Sequence, residues 1–255
     1  MENLNIFHEI DNYFDENKLN FEFKSKKKDL FCIFDLDGVI TKTTEIHFKA
    51  WKKAFTNLHS IIKKPNIKIS KKHYLDIIDG APRLNAIEKM LTKYNIFHTI
   101  SDIEKISKYK NDTFLKEIRN RNVPLYPDAL KLIKSIRNNY NSKIAIATSS
   151  KNGHEIVKKA KINHLFDFCI TGIEVDQLGL KPKPSPDIFL YAMQLLNAQK
   201  KNVYIFEDSS TGLRAALKTG CANVVYADRN NNKLNLKYHH RLSNLYEINF
   251  ERNFQ

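Results

Sequence analysis

The chain has 255 residues, 42% hydrophobic and 27% charged, and a formal net charge of +14. That length buries a full core and carries a second subdomain, and no apolar stretch approaches the ~20 residues of a membrane-spanning helix. The lysines behind the charge are spread along the whole chain, so they read as a compositional bias on solvated faces rather than as a nucleic-acid or lipid-binding surface.

Residues 1–28 read as a polar, partly amphipathic N-terminal extension that closes on the lysine run Lys24-Ser25-Lys26-Lys27-Lys28. The start, Met1-Glu2-Asn3-Leu4-Asn5, has neither the basic nor the apolar part of a signal peptide. Cys32, Cys169 and Cys221 are scattered without C-x-x-C spacing and read as small buried thiols in a reducing compartment. We therefore expect a cytoplasmic protein with no membrane or nucleic-acid partner.

The first core strand is Leu30-Phe31-Cys32-Ile33, followed by Phe34-Asp35-Leu36-Asp37-Gly38-Val39-Ile40-Thr41. Two carboxylates one residue apart thus stand past the C-terminal end of a buried strand, where open α/β sheets bind ligands. Such a pair can share a Mg²⁺ or divide nucleophile and acid/base roles. From Thr43 to about Pro124 the pattern is helical: His47–Leu58, Lys71–Ile78, Arg83–Tyr94 and Ser101–Ile118. Pro124 and Pro127 mark a return to alternating strands and helices up to Tyr226, which argues a parallel sheet.

Three later segments carry polar strand ends. Lys143–Gly153 is a strand running into Thr148, Ser149 and Ser150 before a helix, donors suited to phosphoryl oxygens. In Lys183-Pro184-Ser185-Pro186-Asp187, Ser185 reads as an N-cap, Pro186 as the first helical residue, and Lys183 as a fixed charge. Val203–Gly212 is a strand ending in Glu207 and Asp208, hard ligands suited to Mg²⁺.

In order, type and spacing these four segments resemble the haloacid dehalogenase superfamily, over roughly residues 29 to 228. Thr43, Glu45 and His47, the run Ala50-Trp51-Lys52, the loop Gly80-Ala81-Pro82-Arg83, Lys110-Asn111-Asp112 and Ser150-Lys151-Asn152-Gly153 narrow the resemblance to the β-phosphoglucomutase family. The resemblance implies a Rossmann-like parallel sheet flanked by helices, with an inserted α-helical cap. Residues 29–42 and 125–255 would form the α/β core and 43–124 the cap.

The same resemblance implies a chemistry. Asp35 would attack phosphorus and Asp37 would move the proton. Mg²⁺ would be held by Asp35, the Asp37 carbonyl, Glu207 and Asp208. Thr148, the Ser149 N–H and Lys183 would stabilise the phosphoryl oxygens. Arg83, Ser150, Lys151 and Asn152 would grip a second phosphate. Gly80 and Ala81 would line the substrate site, and Thr43, His47 and Lys110 would couple cap closure to proton transfer. The substrate implied is a small phosphorylated sugar, and we expect a monomer.

Taken singly, Arg83 and Lys110 are ordinary helix-surface cations, His47 is nearly as readily a packing residue, and Thr43 a helix cap. Lys42 stands where the family pattern has an acid, Thr148 replaces a serine, and Gly172–Lys181 is longer than in the simplest mutases. Three readings follow: a β-phosphoglucomutase-type isomerase working through a bisphosphate, a sugar-phosphate phosphatase with the same Asp35 chemistry, or a catalytically silent basic binding module.

Overall fold

A computed structural model describes residues 29–229, 231, 234–248 and 250. The N-terminal extension and residues 251–255 lie outside it. Six strands form one sheet in the order β3-β2-β1-β4-β5-β6, and every pairing is parallel. They are β1 (Asp29–Phe34), β2 (Asn141–Ala147), β3 (Phe168–Ile170), β4 (Val203–Glu207), β5 (Asn223–Ala227) and β6 (His240–Leu242). β1 lies between β2 and β4, so the chain leaves β1 to one side, turns back after β3 and fills the other. The switch point between β1 and β4 opens a crevice at the strand ends. The end strand β6 falls in a tail whose sequence is Asn-rich and weakly patterned, which is why periodicity reads no strand there.

Side chains along each inner strand alternate between two buried layers, as the pleat requires. Cys32, Phe34, Ile144, Ile146, Tyr204 and Phe206 pack on one face with the helix Pro127–Asn139. Ile33, Ala145, Ala147, Val203 and Ile205 pack on the other with Asp187–Leu196 and Ser210–Lys218. Phe34 and Phe206 stack across β1 and β4, ring centroids 4.3 Å apart. Helix Asp187–Leu196 starts one residue later than its sequence suggests. Pro186 is its N-cap, and the Ser185 hydroxyl donates to the Asp187 carboxylate at 2.5 Å instead of capping the backbone.

Between β1 and β2 the chain builds a helical insert with its own core of Trp51, Phe55, Ile87, Met90 and Ile106 among others. Its long helix, Ile100–Arg119, opens on a reciprocal cap: Asp102 N–H donates to Thr99 Oγ1 at 3.2 Å and Thr99 N–H to the Asp102 carboxylate at 3.0 Å. The expected helix over 71–78 is Lys71–His73 running into a π-helical turn, Tyr74–Ile78, closed by Asp79 N–H on Tyr74 O at 2.8 Å. The two crossings between insert and core are bonded to each other. Lys42 N–H donates to Pro124 O at 2.7 Å and Tyr126 N–H to Ile40 O at 2.9 Å. No described helix is long and apolar enough to cross a membrane.

Candidate active site

One pocket at the ends of β1, β2 and β4 gathers most of the predicted residues. It is lined by Asp35, Asp37, Thr148, Ser149, Ser150, Lys151, Lys183, Glu207 and Asp208 from the core, and by His47, Gly80, Ala81, Arg83 and Lys110 from the insert. Thr43 and Asn152 stand outside its lining. Thr43 donates its hydroxyl to Asp37 Oδ1. It is the residue before the helix Thr44–Phe55 but makes no side-chain cap bond there. Asn152 Nδ2 donates to Asn111 Oδ1 of the insert at 2.9 Å.

Lys183 is 2% exposed and its ammonium is fully used. It donates to Asp35 Oδ1 at 2.6 Å, Glu207 Oε1 at 2.8 Å and Ala147 O at 3.0 Å. Of the two Lys-Pro pairs it is this lysine that reaches the strand ends. Burial works against its charge, but Asp35 and Glu207 outweigh burial and raise its pKa. One ammonium shared by two carboxylates neutralises neither fully. Burial first, with Glu207 and Asp37 adding, pushes Asp35 up to about 8 against the pull of Lys183.

Glu207 turns its second oxygen to Ser209, accepting from its N–H at 2.8 Å and its hydroxyl at 3.0 Å. Both oxygens of this expected metal ligand are thus engaged, one with Lys183 and the other at the start of the next helix. Asp208 is different: among the described residues it accepts no hydrogen bond. Burial first, then Asp79, Glu207, Asp35 and Asp37, push its pKa well above the ordinary carboxylate value. Gly38, at φ +92°, makes room for it; a Cβ there would lie 1.8 Å from Asp208 Oδ2.

A second cluster surrounds Asp37. His47 Nε2 faces Asp37 Oδ1 at 3.3 Å, and Lys110 Nζ lies 2.8 Å from His47 Nδ1. A charged Lys110 has only donors; in that state Nδ1 accepts and the ring hydrogen sits on Nε2, on the side of Asp37. Burial and then Lys110 hold His47 below its ordinary pKa. Burial opposes ionisation of Asp37, but His47, the Thr43 hydroxyl and Lys110 outweigh it and hold the carboxyl below its ordinary value. The surroundings thus favour the carboxylate form of Asp37 and the uncharged form of His47. Lys110 is itself buried, 5.1 Å from the Trp51 ring centroid and 4.9 Å from that of Phe114. Burial first, with Arg83 adding, lowers its pKa well below the ordinary value.

On the insert side, Arg83 is half-buried and makes no ion pair among the described residues; burial alone lowers its pKa. Lys151 is paired with Asp176. Thr148 Oγ1 accepts from Ser150 N–H at 3.1 Å, which leaves its hydroxyl hydrogen for the pocket.

The pocket also contains residues that sequence patterns did not single out: Tyr74, Asp79 and Asp176. Asp79 follows the π-helical turn, whose wide spacing brings the Asp79 N–H onto Tyr74 O at 2.8 Å. Burial first, with Glu207 and Asp37 adding, pushes Asp79 up to about 6. The loop here lies directly on the core. The Thr211 hydroxyl donates to Asp79 O at 3.3 Å, and that of Ser149 to Gly80 O at 3.5 Å. Gly80 has φ +67°, and a Cβ on it would lie 2.5 Å from Ser209 Oγ.

Among the described residues the acids do not close into a ready-made cluster of three metal ligands. The donor chemistry nevertheless fits Mg²⁺: Asp35, the Asp37 carbonyl and Asp208 are hard oxygens, and Asp208 accepts no hydrogen bond from the described residues.

Comparison with known proteins follows the same line. The family model for haloacid dehalogenase-like hydrolases matches residues 32–226. A β-phosphoglucomutase of Bacillus subtilis (strain 168) is 32% identical over 196 residues, 74% of this chain and 79% of the relative. A phosphorylated carbohydrates phosphatase of Thermotoga maritima is 25% identical over 194 residues, 75% of this chain and 82% of the relative. The solved structure of β-phosphoglucomutase from Clostridium difficile superposes with a TM-score of 0.72 at 26% identity, covering 88% of this chain and 95% of that one. With a parallel sheet, acids at the ends of its central strands and a matching family model over most of its length, the chain belongs to the haloacid dehalogenase-like hydrolases and is an enzyme of their phosphatase and phosphotransferase type.

Proposed function

We propose that this enzyme moves a phosphoryl group on a small sugar phosphate through an aspartyl phosphate on Asp35, as a mutase of the β-phosphoglucomutase type. The carrying observation is Arg83. It is a half-buried guanidinium in the same pocket as Asp35, without a carboxylate partner among the described residues. An uncompensated cation in a pocket is costly unless an anion visits it. A reaction on one phosphate needs one anchor, whereas a bisphosphate intermediate needs two. Lys183 and Thr148 supply the first and Arg83 the second.

In this reading Asp35 is the nucleophile. Asp37, ionised and facing the Nε2–H of His47, takes the proton of the attacking hydroxyl and returns it to the leaving oxygen. Lys183 and the hydroxyl hydrogen of Thr148 hold phosphoryl oxygens. Mg²⁺, held by Asp35, the Asp37 carbonyl and Asp208, neutralises phosphoryl charge when bound. The helical insert, residues 43–124, acts as a cap that shuts water out of the pocket. Family membership and the pocket's assembled acid–lysine set remove the silent binding module from consideration.

The phosphatase reading has one observation in its favour. Lys151 is engaged by Asp176, which leaves Arg83 as the one uncommitted cation of the distal set among the described residues. The deciding experiment incubates the purified protein with Mg²⁺ and a panel of sugar phosphates, with a catalytic amount of sugar bisphosphate, and separates isomers from free phosphate. Isomer formation exceeding phosphate release is the expected result. Phosphate release without isomerisation on every member selects the phosphatase.

A further inference from the structure

Arg229, two residues past the end of β5, does not line the pocket, yet its side chain is 6% exposed and touches both crossings between core and insert. Nη2 donates to Val39 O of the outgoing crossing at 3.0 Å. Nη1 pairs with Asp128, just past the returning one. The guanidinium carbon also lies 4.0 Å from the ring centroid of Tyr126, the residue whose N–H bonds Ile40 O. The C-terminal segment braces the same group. Leu245 N–H donates to Asp128 Oδ2 at 2.9 Å, and Ser243 O accepts from Arg229 Nη1 at 3.3 Å.

What Arg229 holds is the outside of the turn that carries Asp37. Gly38 N–H donates to Thr41 O at 2.8 Å and Thr41 N–H to Leu36 O at 2.9 Å, so residues 36–41 close on themselves with Val39 inside the loop they form. From the same turn a line of hydroxyls runs back to the acid. Thr41 Oγ1 donates to Leu36 O at 3.1 Å and lies 2.5 Å from Thr43 Oγ1, whose hydroxyl donates to Asp37 Oδ1. We propose that Arg229 is a positioning residue for phosphoryl transfer: by gripping Val39 O and the Tyr126 ring together, it fixes the turn that aims the Asp37 carboxyl at the ester oxygen. A guanidinium suits the task, because its rigid fork serves a carbonyl and a carboxylate while its face lies against an aromatic ring. Proton transfer is steeply sensitive to placement. Asp35 is held by other bonds, its N–H on Phe206 O at 2.9 Å and its carboxylate on Lys183. Loss of Arg229 therefore loosens the acid and leaves the nucleophile in place. The inference rests on the reading of Asp35 as nucleophile and Asp37 as acid and base.

Leaving groups tell the two aspartates apart. When the ester P–O bond breaks, p-nitrophenolate departs without a proton, whereas benzyl alkoxide needs one from Asp37. The two esters are similar in size and neither has a second phosphate, so contacts to the insert do not decide between them. kcat/KM for p-nitrophenyl phosphate and benzyl phosphate is measured with Mg²⁺ in the wild type, Arg229→Gln and Arg229→Lys. The lysine variant keeps a charge beside Asp128 and loses the fork, and it serves alone if Arg229→Gln melts below the assay temperature. The ratio of p-nitrophenyl to benzyl ester should rise by about tenfold or more, through a loss on the benzyl ester. An equal loss on both esters, or no loss on either in a folded variant, makes Arg229 a structural tie and overturns the proposal. Asp37→Asn is the reference and should show the same selective loss, only larger. If Asp37→Asn strikes both esters alike, the acid–base reading fails and takes this inference with it. A selective Asp37→Asn beside unselective Arg229 variants refutes this inference alone.

Discussion

Lys183 and Asp35 meet at 2.6 Å between Nζ and Oδ1, and the same ammonium reaches Glu207 at 2.8 Å. A loop after β3 thereby neutralises, in part, the ends of β1 and β4 at once. Replacing Lys183 by Met keeps much of the volume and strands two buried carboxylates. Breaking a buried pair in this way costs about 3–5 kcal/mol. A lowered denaturation midpoint should result, with a larger loss at alkaline than at acid pH. Wild-type stability in Lys183→Met would show that the acids are neutralised elsewhere.

The pH dependence has a definite sign. Burial, with Glu207 and Asp37 adding and Lys183 opposing, raises the Asp35 carboxyl from 3.8 to about 8. Between those values the folded protein keeps a proton that the unfolded chain has released. The contribution to stability is therefore fully present below 3.8 and is lost as pH rises through about 8. Asp79, pushed up to about 6, and Asp208, pushed well above its ordinary value, act in the same direction. Thermal melts in chelator should fall with rising pH, and Asp35→Asn should flatten the fall. The same variant should lose turnover by orders of magnitude, and mass spectrometry should find no phosphorylated enzyme. A slope as steep as the wild type's, or a persisting phosphoenzyme, would exclude Asp35 as the seat of either effect.

Mg²⁺ should oppose that loss. Chelation is expected to abolish turnover and Mg²⁺ to restore it. At saturation, near 100 times its dissociation constant, the ion should add about 2.7 kcal/mol of stability. The gain should be greatest at alkaline pH, where the carboxylates are ionised, and should shrink in Asp208→Asn. Full activity after exhaustive chelation would refute the metal site.

Arg83→Ala separates the two readings of the reaction. A charge-assisted bond to phosphate is worth roughly 1.5–3 kcal/mol, so isomerisation should fall by about one to two decades. Slow hydrolysis of a small phosphate ester should survive, since its phosphate uses Lys183 and Thr148. Isomerisation unchanged in Arg83→Ala on every active sugar phosphate would leave the pocket with a single anchor and make the phosphatase the better description.

The parallel sheet and the acids at its strand ends were legible because each motif is local. Phe34-Asp35-Leu36-Asp37-Gly38 contains its own strand, turn and carboxylates, and periodicity places it without knowledge of the rest. The family resemblance added the insert's Arg83, Lys110 and His47, which singly pass for helix-surface or packing residues. Other features were illegible for a physical reason. Asp79 reaches the pocket at the end of a π-helical turn, and helical periodicity does not distinguish that turn from an α-helix. Asp208 lies far along the chain, so only the docking of insert on core shows that both line one pocket. The roles of Glu207 and Ser185 turned on where a side-chain oxygen points. Glu207 faces Lys183 and Ser209, and Ser185 faces Asp187; residue type alone left those directions open.

The paired crossings between core and insert constrain how the site is put together. Lys42 is bonded to Pro124, and Tyr126 to Ile40, so the two connections bend as one ribbon instead of as separate tethers. Asp79, Arg83, His47 and Lys110 all ride on a body with its own hydrophobic core. A movement of that body on the core would carry all four groups at once, so Arg83 and the His47–Lys110 pair beside Asp37 are mechanically one unit.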